Sequence, residues 1–543
     1  VPRRTLCLFV AAAALFYFSS LGTIPLLEPD EGRYAEIPRE MLASGDFVTP
    51  HLNGVVYLEK PPLYYWGTAA GLALFGENEF GARAFAAAVC VAGIVLTYWM
   101  GAALAGPRTG LYAAIVLSTS AYYYVIGRLN TLDMTLAVFL VAAIFPAYLY
   151  LSGRRSSRAY LLVSYGAAAL AYLTKGLVGI VFPAAILLGW FALSRRHREI
   201  GRAFSLAGAL LFLVLALPWT VLVQARNPDF FRFFFVREHL LRYTTGVHHR
   251  EGPFWYFLPV VAAAFFPWVA FLRRAALAVR GAAGDFFERE DRLFLAVWVL
   301  FVLGFFSFSH SKLVTYAAPL VPPAAVLFGR ALDLWAARED GAVRCRFPLA
   351  LALFTAFALL WAPSFFRGRP PAQARWVAEV ALPCLLVLLW GAIPLFVKRL
   401  GADRVILLSF LVLSLFFTSL NRPAAALLGE RKSVKSMAAV LAASLRPGDA
   451  VAQYGTYRQG IPFYARCRTI QVNDAGELAF GAEHAADRAR WFLEEEEFLR
   501  LWNSGTRVFC VLKREAMPLV REKLARHRLL YRSEAGILVV NRF

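Results

Sequence analysis

The residues able to do chemistry in this sequence fall into four short clusters. The first is Glu28-Pro29-Asp30-Glu31-Gly32-Arg33-Tyr34-Ala35-Glu36, which follows an apolar run. Carboxylates beside a bilayer are costly unless they face water, an ion or a partner, which makes Asp30 a candidate acid. The competing reading is that Asp30 caps a helix over 31–44. The same polar stretch continues into Tyr57-Leu58-Glu59-Lys60-Pro61-Pro62. Lys60 can hold a phosphate as a point charge, or it only snorkels from an interfacial helix. The second cluster is Arg128-Leu129-Asn130-Thr131-Leu132-Asp133-Met134. Asp133 is either a functional acid set into an apolar helix or a first-turn acid favoured by the helix dipole. The third, within 225–252, holds Glu238-His239, Arg242-Tyr243, His248-His249 and Arg250. Imidazoles beside a carboxylate suit zinc, although this spacing matches no standard zinc motif. Arg242 and Arg250 suit bidentate phosphate contacts. The fourth runs Ser309-His310-Ser311-Lys312-Leu313-Val314-Thr315-Tyr316. Lys312 and Tyr316, four apart, read as one helix face and a phosphate clamp; the alternative is an interfacial aromatic beside a snorkelling lysine.

The elements that must position these groups are membrane helices. Hydrophobic residues are 59% of 543, charged residues 17% and aromatics 15%, with a mean hydropathy of +0.55. A soluble domain carries roughly 45–50% apolar residues, and disorder needs far fewer aromatics. Unbroken apolar runs exclude an outer-membrane barrel. The fold class expected is an all-α polytopic membrane protein with a small C-terminal α/β domain. The first run, 6–24, follows Arg3 and Arg4 without a cleavage site and reads as a retained helix. Further spans are expected at 81–105, 109–127, 131–151, 159–174, 176–194, 203–224, 253–272, 293–309, 313–332, 347–363, 377–397 and 403–420, thirteen in all with the first.

Charge settles the topology. Lys and Arg number 57 against 36 Asp and Glu, a net charge of +21. Most of that excess sits in short loops such as Arg154/Arg155/Arg158, Arg195/Arg196/Arg198/Arg202 and Arg273/Arg274/Arg280, as cytoplasmic loops require. The pattern holds only if Leu63–Phe75 does not span, so that stretch reads as a helix along the interface. The amino terminus is then cytoplasmic. The loops 25–80 and 225–252, the short 128–130 and 310–312 and the C-terminal region all lie outside. Basic residues scattered in this way point to no nucleic acid partner. A domain boundary is expected between 1–429 and 430–543. In the latter, β-like runs at Ala450–Tyr454, Thr469–Val472, Val508–Leu512 and Ile537–Asn541 alternate with helical patterns at 433–445, 485–502 and 515–526. Cys467 and Cys510 can pair if that region is extracytoplasmic. The Glu494–Glu497 run reads as a solvated helix face. All four clusters thus converge on one external cavity. No phosphate-binding loop or dinucleotide fingerprint occurs, so no nucleotide is expected. A polyprenyl-phosphate sugar arriving within the membrane fits instead.

At this point the sequence resembles a known family. Glu28–Glu36, Leu58-Glu59-Lys60-Pro61-Pro62, Asp133 and Ser311-Lys312-Leu313-Val314-Thr315-Tyr316-Ala317-Ala318-Pro319 look like the membrane glycosyltransferases of the C-type fold, which include protein O-mannosyltransferases. Glu238-His239, His249-Arg250 and Pro253-Phe254-Trp255-Tyr256 look specifically like the bacterial lipid A aminoarabinose transferases. In this chain Glu251-Gly252 makes the approach to Pro253 one residue longer than the family pattern. The resemblance implies catalytic roles for Asp30 and Asp133. It implies a carrier-phosphate and cavity set of Lys60, Arg33, Tyr34, Tyr57, Arg242, Tyr316 and Lys312. A divalent metal, zinc, would be held by Glu59, His239 and His249. The implied enzyme is a monomer in the bacterial inner membrane with its active site facing the periplasm. Its implied donor is undecaprenyl phosphate-linked 4-amino-4-deoxy-L-arabinose, its acceptor is a lipid A phosphate, and its consequence is polymyxin resistance. The alternatives are a protein O-mannosyltransferase or other glycosyltransferase of this fold, and a lipid transporter or flippase. The last would more often show repeats and broken midplane helices, which the sequence lacks.

Overall fold

The computed structural model describes residues 2–241, 252–281, 286–338, 401–516 and 527–542, with isolated positions in 380–389 and 518–524. Expected span 347–363, most of 377–397 and half of the 515–526 helix lie outside the described residues. The helices of the first half are α1 (Arg3–Phe18), α2 (Asp30–Ser44), α3 (Leu63–Phe75), α4 (Glu79–Ala105), α5 (Pro107–Ser118), α6 (Ala121–Arg128), α7 (Leu132–Leu151), α8 (Ala159–Lys175), α9 (Val178–Leu193) and α10 (Leu206–Arg226). Helices Arg289–Phe308, Val321–Arg338 and Ala402–Ser419 follow.

Among the described residues six helices are long and apolar enough to cross a bilayer, or seven if α5 and α6, bent by 62°, form one broken span. Thirteen were expected. Part of the difference is length: α1, α8 and α9 have 16, 17 and 16 residues. At about 1.5 Å per residue they fall short of the roughly 30 Å hydrocarbon core. Two expected spans are interrupted. Within 109–127 the Thr119 and Ser120 hydroxyls turn back onto the Ile115 and Val116 carbonyls, each at 2.6 Å, and the helix restarts at Ala121. Within 253–272 a helix Phe257–Ala264 ends before Pro267, which has no N–H to donate, and a separate helix Leu272–Gly281 follows. α3 has the expected bounds, and its 13 residues make it only about 20 Å long.

The chain forms two compact units. One comprises Val1–Ser20 with Ala86–Pro423, the other Leu21–Phe85 with Ala424–Phe543. In the first unit α7 is buried almost along its whole length. Helix Val321–Arg338 crosses α5 so closely that a Cβ on Gly329 would sit 2.5 Å from the Ala113 nitrogen. Small residues at helix crossings allow this backbone approach inside a membrane.

The second unit unites the first polar loop with the C-terminal segment. Its six-stranded sheet has the order β5-β4-β3-β6-β8-β7, built from β3 (Ala450–Tyr454), β4 (Ile470–Val472), β5 (Phe492–Leu493), β6 (Val508–Leu512), β7 (Arg528–Arg532) and β8 (Ile537–Val540). β3, β4, β5 and β6 run parallel; β8 pairs antiparallel with β6 and with β7. Central β6 is buried at every position, as a strand covered on both faces must be. The 485–502 pattern resolves into Arg488–Trp491, strand β5 and Glu495–Trp502, the last opened by a capping box between Glu494 and Glu497. Cys467 and Cys510 are free thiols; Cys510 lies in buried β6.

Candidate active-site residues

In the second unit the sequence folds back on itself to present the first cluster. α2 begins at Asp30, whose side chain is half exposed and pairs with Arg33 one turn on at 2.9 Å. Asp30 is itself the first helical residue, with Pro29 in the cap position, so the helix-cap alternative does not hold. Arg33 is 12% exposed, and its other nitrogen meets Glu477 of the C-terminal segment at 2.6 Å. Glu477 in turn accepts from the Gln459 amide at 2.5 Å. Burial disfavours the Arg33 charge, but the Glu477 and Asp30 carboxylates hold its proton well above the ordinary value. Arg33 therefore stays a fixed cation beside Asp30. Its Nε is buried without a hydrogen-bond partner among the described residues. Tyr34 stacks on Tyr65 with ring centroids 5.9 Å apart and meets Tyr64 edge-on at 5.5 Å.

A two-stranded hairpin, β1 (His51–Leu52) and β2 (Val55–Val56), delivers the next residues. Its Asn53-Gly54 turn has φ of 54° and 71°, the left-handed pair a type I′ turn requires. The Asn53 side chain donates to the Thr469 carbonyl and accepts from the Thr469 N–H, both at 2.8 Å. That fixes the strand leading to Tyr57, Glu59 and Lys60. Tyr57 is 3% exposed, and burial pushes its phenol well up, so it remains protonated. The Lys60 ammonium donates to the Glu59 carbonyl at 2.8 Å and lies 3.9 Å from the Glu59 carboxylate. Glu28 is seated on the Gln459 and Gly460 N–H groups at 2.9 and 2.7 Å. Burial raises its pKa to about 7 against those two bonds.

The first unit holds a second polar set. Asp133, in the first turn of α7, forms an ion pair with Lys175 at the end of α8. The Lys175 ammonium lies 4.7 Å from the Tyr316 ring centroid, within cation–π range. Tyr316 sits in a 3₁₀ turn, Val314–Leu320, against Phe306 at 4.9 Å. The expected Lys312–Tyr316 helix face is not formed. Helical backbone begins only at Val314, and the buried Lys312 ammonium bonds the Ser309 carbonyl at 2.6 Å. Two contributing residues escaped the sequence reading. Lys175 had a signal, a charge deep in an apolar run; Glu477 had none.

Arg242 and His249 lie outside the described residues, and of His239 only the backbone, in the helical segment Arg232–Leu241, is described. Among the described residues no group of three or more His, Cys, Asp or Glu side chains is arranged to hold a metal. Glu59 has the Lys60 ammonium as a neighbour.

The architecture and these polar sets define a class. The chain resembles an Archaeoglobus fulgidus oligosaccharyltransferase in complex with an inhibitory peptide and a dolichol-phosphate, with a TM-score of 0.51 at 13% identity, over 95% of this chain and 70% of that one. At that identity the likeness is one of fold alone, that of a polytopic helical membrane protein. A family model for dolichyl-phosphate-mannose-protein mannosyltransferases matches residues 3–234, and one for the aminoarabinose transferase C-terminal domain matches 437–541. An undecaprenyl phosphate-α-4-amino-4-deoxy-L-arabinose arabinosyl transferase of Pseudomonas paraeruginosa is 33% identical over 402 residues, 72% of this chain and 70% of that protein. The crystal structure of ArnT from Cupriavidus metallidurans bound to undecaprenyl phosphate matches with a TM-score of 0.87 and 30% identity, over 100% of this chain and 99% of that one. The chain belongs to the undecaprenyl phosphate-aminoarabinose arabinosyl transferase family, and it is a glycosyltransferase.

Proposed function

We propose that this chain transfers 4-amino-4-deoxy-L-arabinose from undecaprenyl phosphate to a phosphate of lipid A, at the periplasmic face of the bacterial inner membrane. The bond between the anomeric carbon and the carrier phosphate breaks, and undecaprenyl phosphate leaves with the electron pair. A lipid A phosphate oxygen bonds the anomeric carbon from the opposite side, with inversion. Negative charge grows on the carrier phosphate as it leaves, and Lys60 stabilises it as a point charge. The acceptor phosphate carries roughly −1.5 to −2 charge at neutral pH and needs no general base.

Asp30 accordingly works as a positioning group. The observation that carries this reading is its pairing with a buried Arg33 whose charge Glu477 holds fixed. An acid held this way suits orienting the sugar and its ammonium group rather than shuttling a proton. Tyr34 and Tyr57 are buried, and Tyr34 backs the Arg33 guanidinium, whose carbon lies 6.0 Å from its ring centroid. Asp133 serves through Lys175 and Tyr316. The test is the purified chain in liposomes with lipid A and undecaprenyl phosphate-aminoarabinose, read by mass spectrometry. One added aminopentose on lipid A, with undecaprenyl phosphate released, supports the assignment. Absence of transfer to lipid A by a protein that consumes the donor overturns the acceptor.

A further inference from the structure

A groove of about 630 Å³ runs along the first unit between two helical stripes. Leu258, Val261 and Phe265 line one side, and Ala324, Leu327 and Phe328 line the other. Both stripes follow the three-and-four spacing that puts residues on one helix face. The side of the groove begun at Leu258 continues through Leu272 and Ala276 to Arg280, the one charged residue that lines it. Arg280 is exposed and forms no ion pair with a described residue. Phe286 also lines the groove, and its carbonyl accepts from Arg330 at 2.8 Å, a guanidinium already paired with Asp333 at 3.1 Å. Neither group belongs to the polar sets assigned to transfer.

We propose that this groove is a binding site for an anionic glycerophospholipid, with an acyl chain between the two stripes and the headgroup phosphate on Arg280. Apolar walls alone would accept any hydrocarbon chain. The guanidinium at one end selects lipids with a negative head, as basic pockets between membrane helices do. Charge asymmetry of the loops puts Arg280 on the cytoplasmic side, with Arg273 and Arg274. The lipid therefore comes from the cytoplasmic leaflet, and its head lies at the opposite end of the membrane from the phosphate of the sugar carrier.

The experiment is native mass spectrometry of the delipidated full chain, titrated with phosphatidylglycerol, phosphatidylethanolamine or undecaprenyl phosphate. It compares the unaltered protein with Arg280→Gln, Arg280→Lys and the groove-filling Ala276→Phe. The expected result is one retained phosphatidylglycerol, bound about fivefold more weakly in Arg280→Gln, the loss of one cationic contact. Arg280→Lys restores most of the binding, and Ala276→Phe abolishes it while undecaprenyl phosphate still binds. Matched thermal melting shows that each variant is folded. Equal phosphatidylglycerol binding in Arg280→Gln and Ala276→Phe, or no retained phosphatidylglycerol at all, overturns the proposal. Displacement of phosphatidylglycerol by undecaprenyl phosphate overturns the choice of occupant and gives the groove to the carrier's tail.

Discussion

Arg33 is the residue on which the first polar set turns. It bridges Asp30, in its own helix, and Glu477, some 440 residues away in sequence. Replacing Glu477 by Gln leaves a hydrogen-bond acceptor but removes the charge that fixes the guanidinium. Misplacing a positioning group by about 1 Å costs on the order of 100-fold in rate, so kcat of Glu477→Gln is expected to fall at least tenfold with little change in membrane abundance; unchanged steady-state kinetics would refute this. Glu28 gives a prediction in pH. Its carboxyl is raised from 4.5 to about 7, mainly by burial, so the folded chain holds this proton more tightly than the unfolded chain. The contribution is present in full below about pH 4.5 and is lost as pH rises through about 7. Glu36, raised to about 8 by burial against its pairing with Arg39, acts in the same direction. The apparent melting temperature should therefore fall from about pH 5 to pH 8, and Glu28→Gln should flatten part of that slope. Parallel slopes in the two proteins would show that Glu28 does not titrate there.

Elements fix these residues through close backbone approaches. A Cβ on Gly32 of α2 would lie 2.7 Å from the Gly460 nitrogen, and one on Gly460 would lie 2.5 Å from a Glu28 carboxylate oxygen. Gly32→Ala must therefore push α2 off the turn that seats Glu28. A loss of about 1–3 kcal/mol of stability is expected, read as a lower melting temperature; a melting temperature equal to the parent's would mean that the two segments separate freely. What the sequence revealed of the elements follows from how local each signal is. The bounds of α3, β3 and β6 agree with the sequence because apolar pattern and flanking Pro or Gly set them. The break in 109–127 was hidden, since the Thr119 and Ser120 hydroxyls compete with the helix from inside an apolar run; the break in 253–272 falls before Pro267, whose signal an unbroken apolar run outweighed. Asp30, Lys60 and Asp133 were legible because ionic groups stand out next to spans. Their partners Glu477 and Lys175 were not, because each meets its partner across many turns of chain. Lys312 and Tyr316 misled for a related reason: spacing implies a shared face only where the backbone is helical.

At the scale of the whole molecule, the C-terminal segment is part of the machinery that positions the first loop. Asn53, Glu28 and Arg33 each bond into it, through Thr469, Gly460 and Glu477. Truncation after Lys432 should give a chain that still inserts in the membrane yet transfers no sugar. Membrane fractionation with lipid A mass spectrometry checks both halves, and modified lipid A from the truncated chain would contradict the account.

We propose that Asp30 and Lys60 carry the transfer of aminoarabinose to lipid A. The most direct test is a bacterial strain lacking its own aminoarabinose transferase, complemented by the parent chain, Asp30→Ala or Lys60→Ala at matched membrane levels. Polymyxin survival and the lipid A mass are then read together. Resistance and an aminopentose on lipid A are expected with the parent chain, and neither with the two variants. Unmodified lipid A in cells that carry the folded parent chain, or full resistance with either variant, would contradict the proposal.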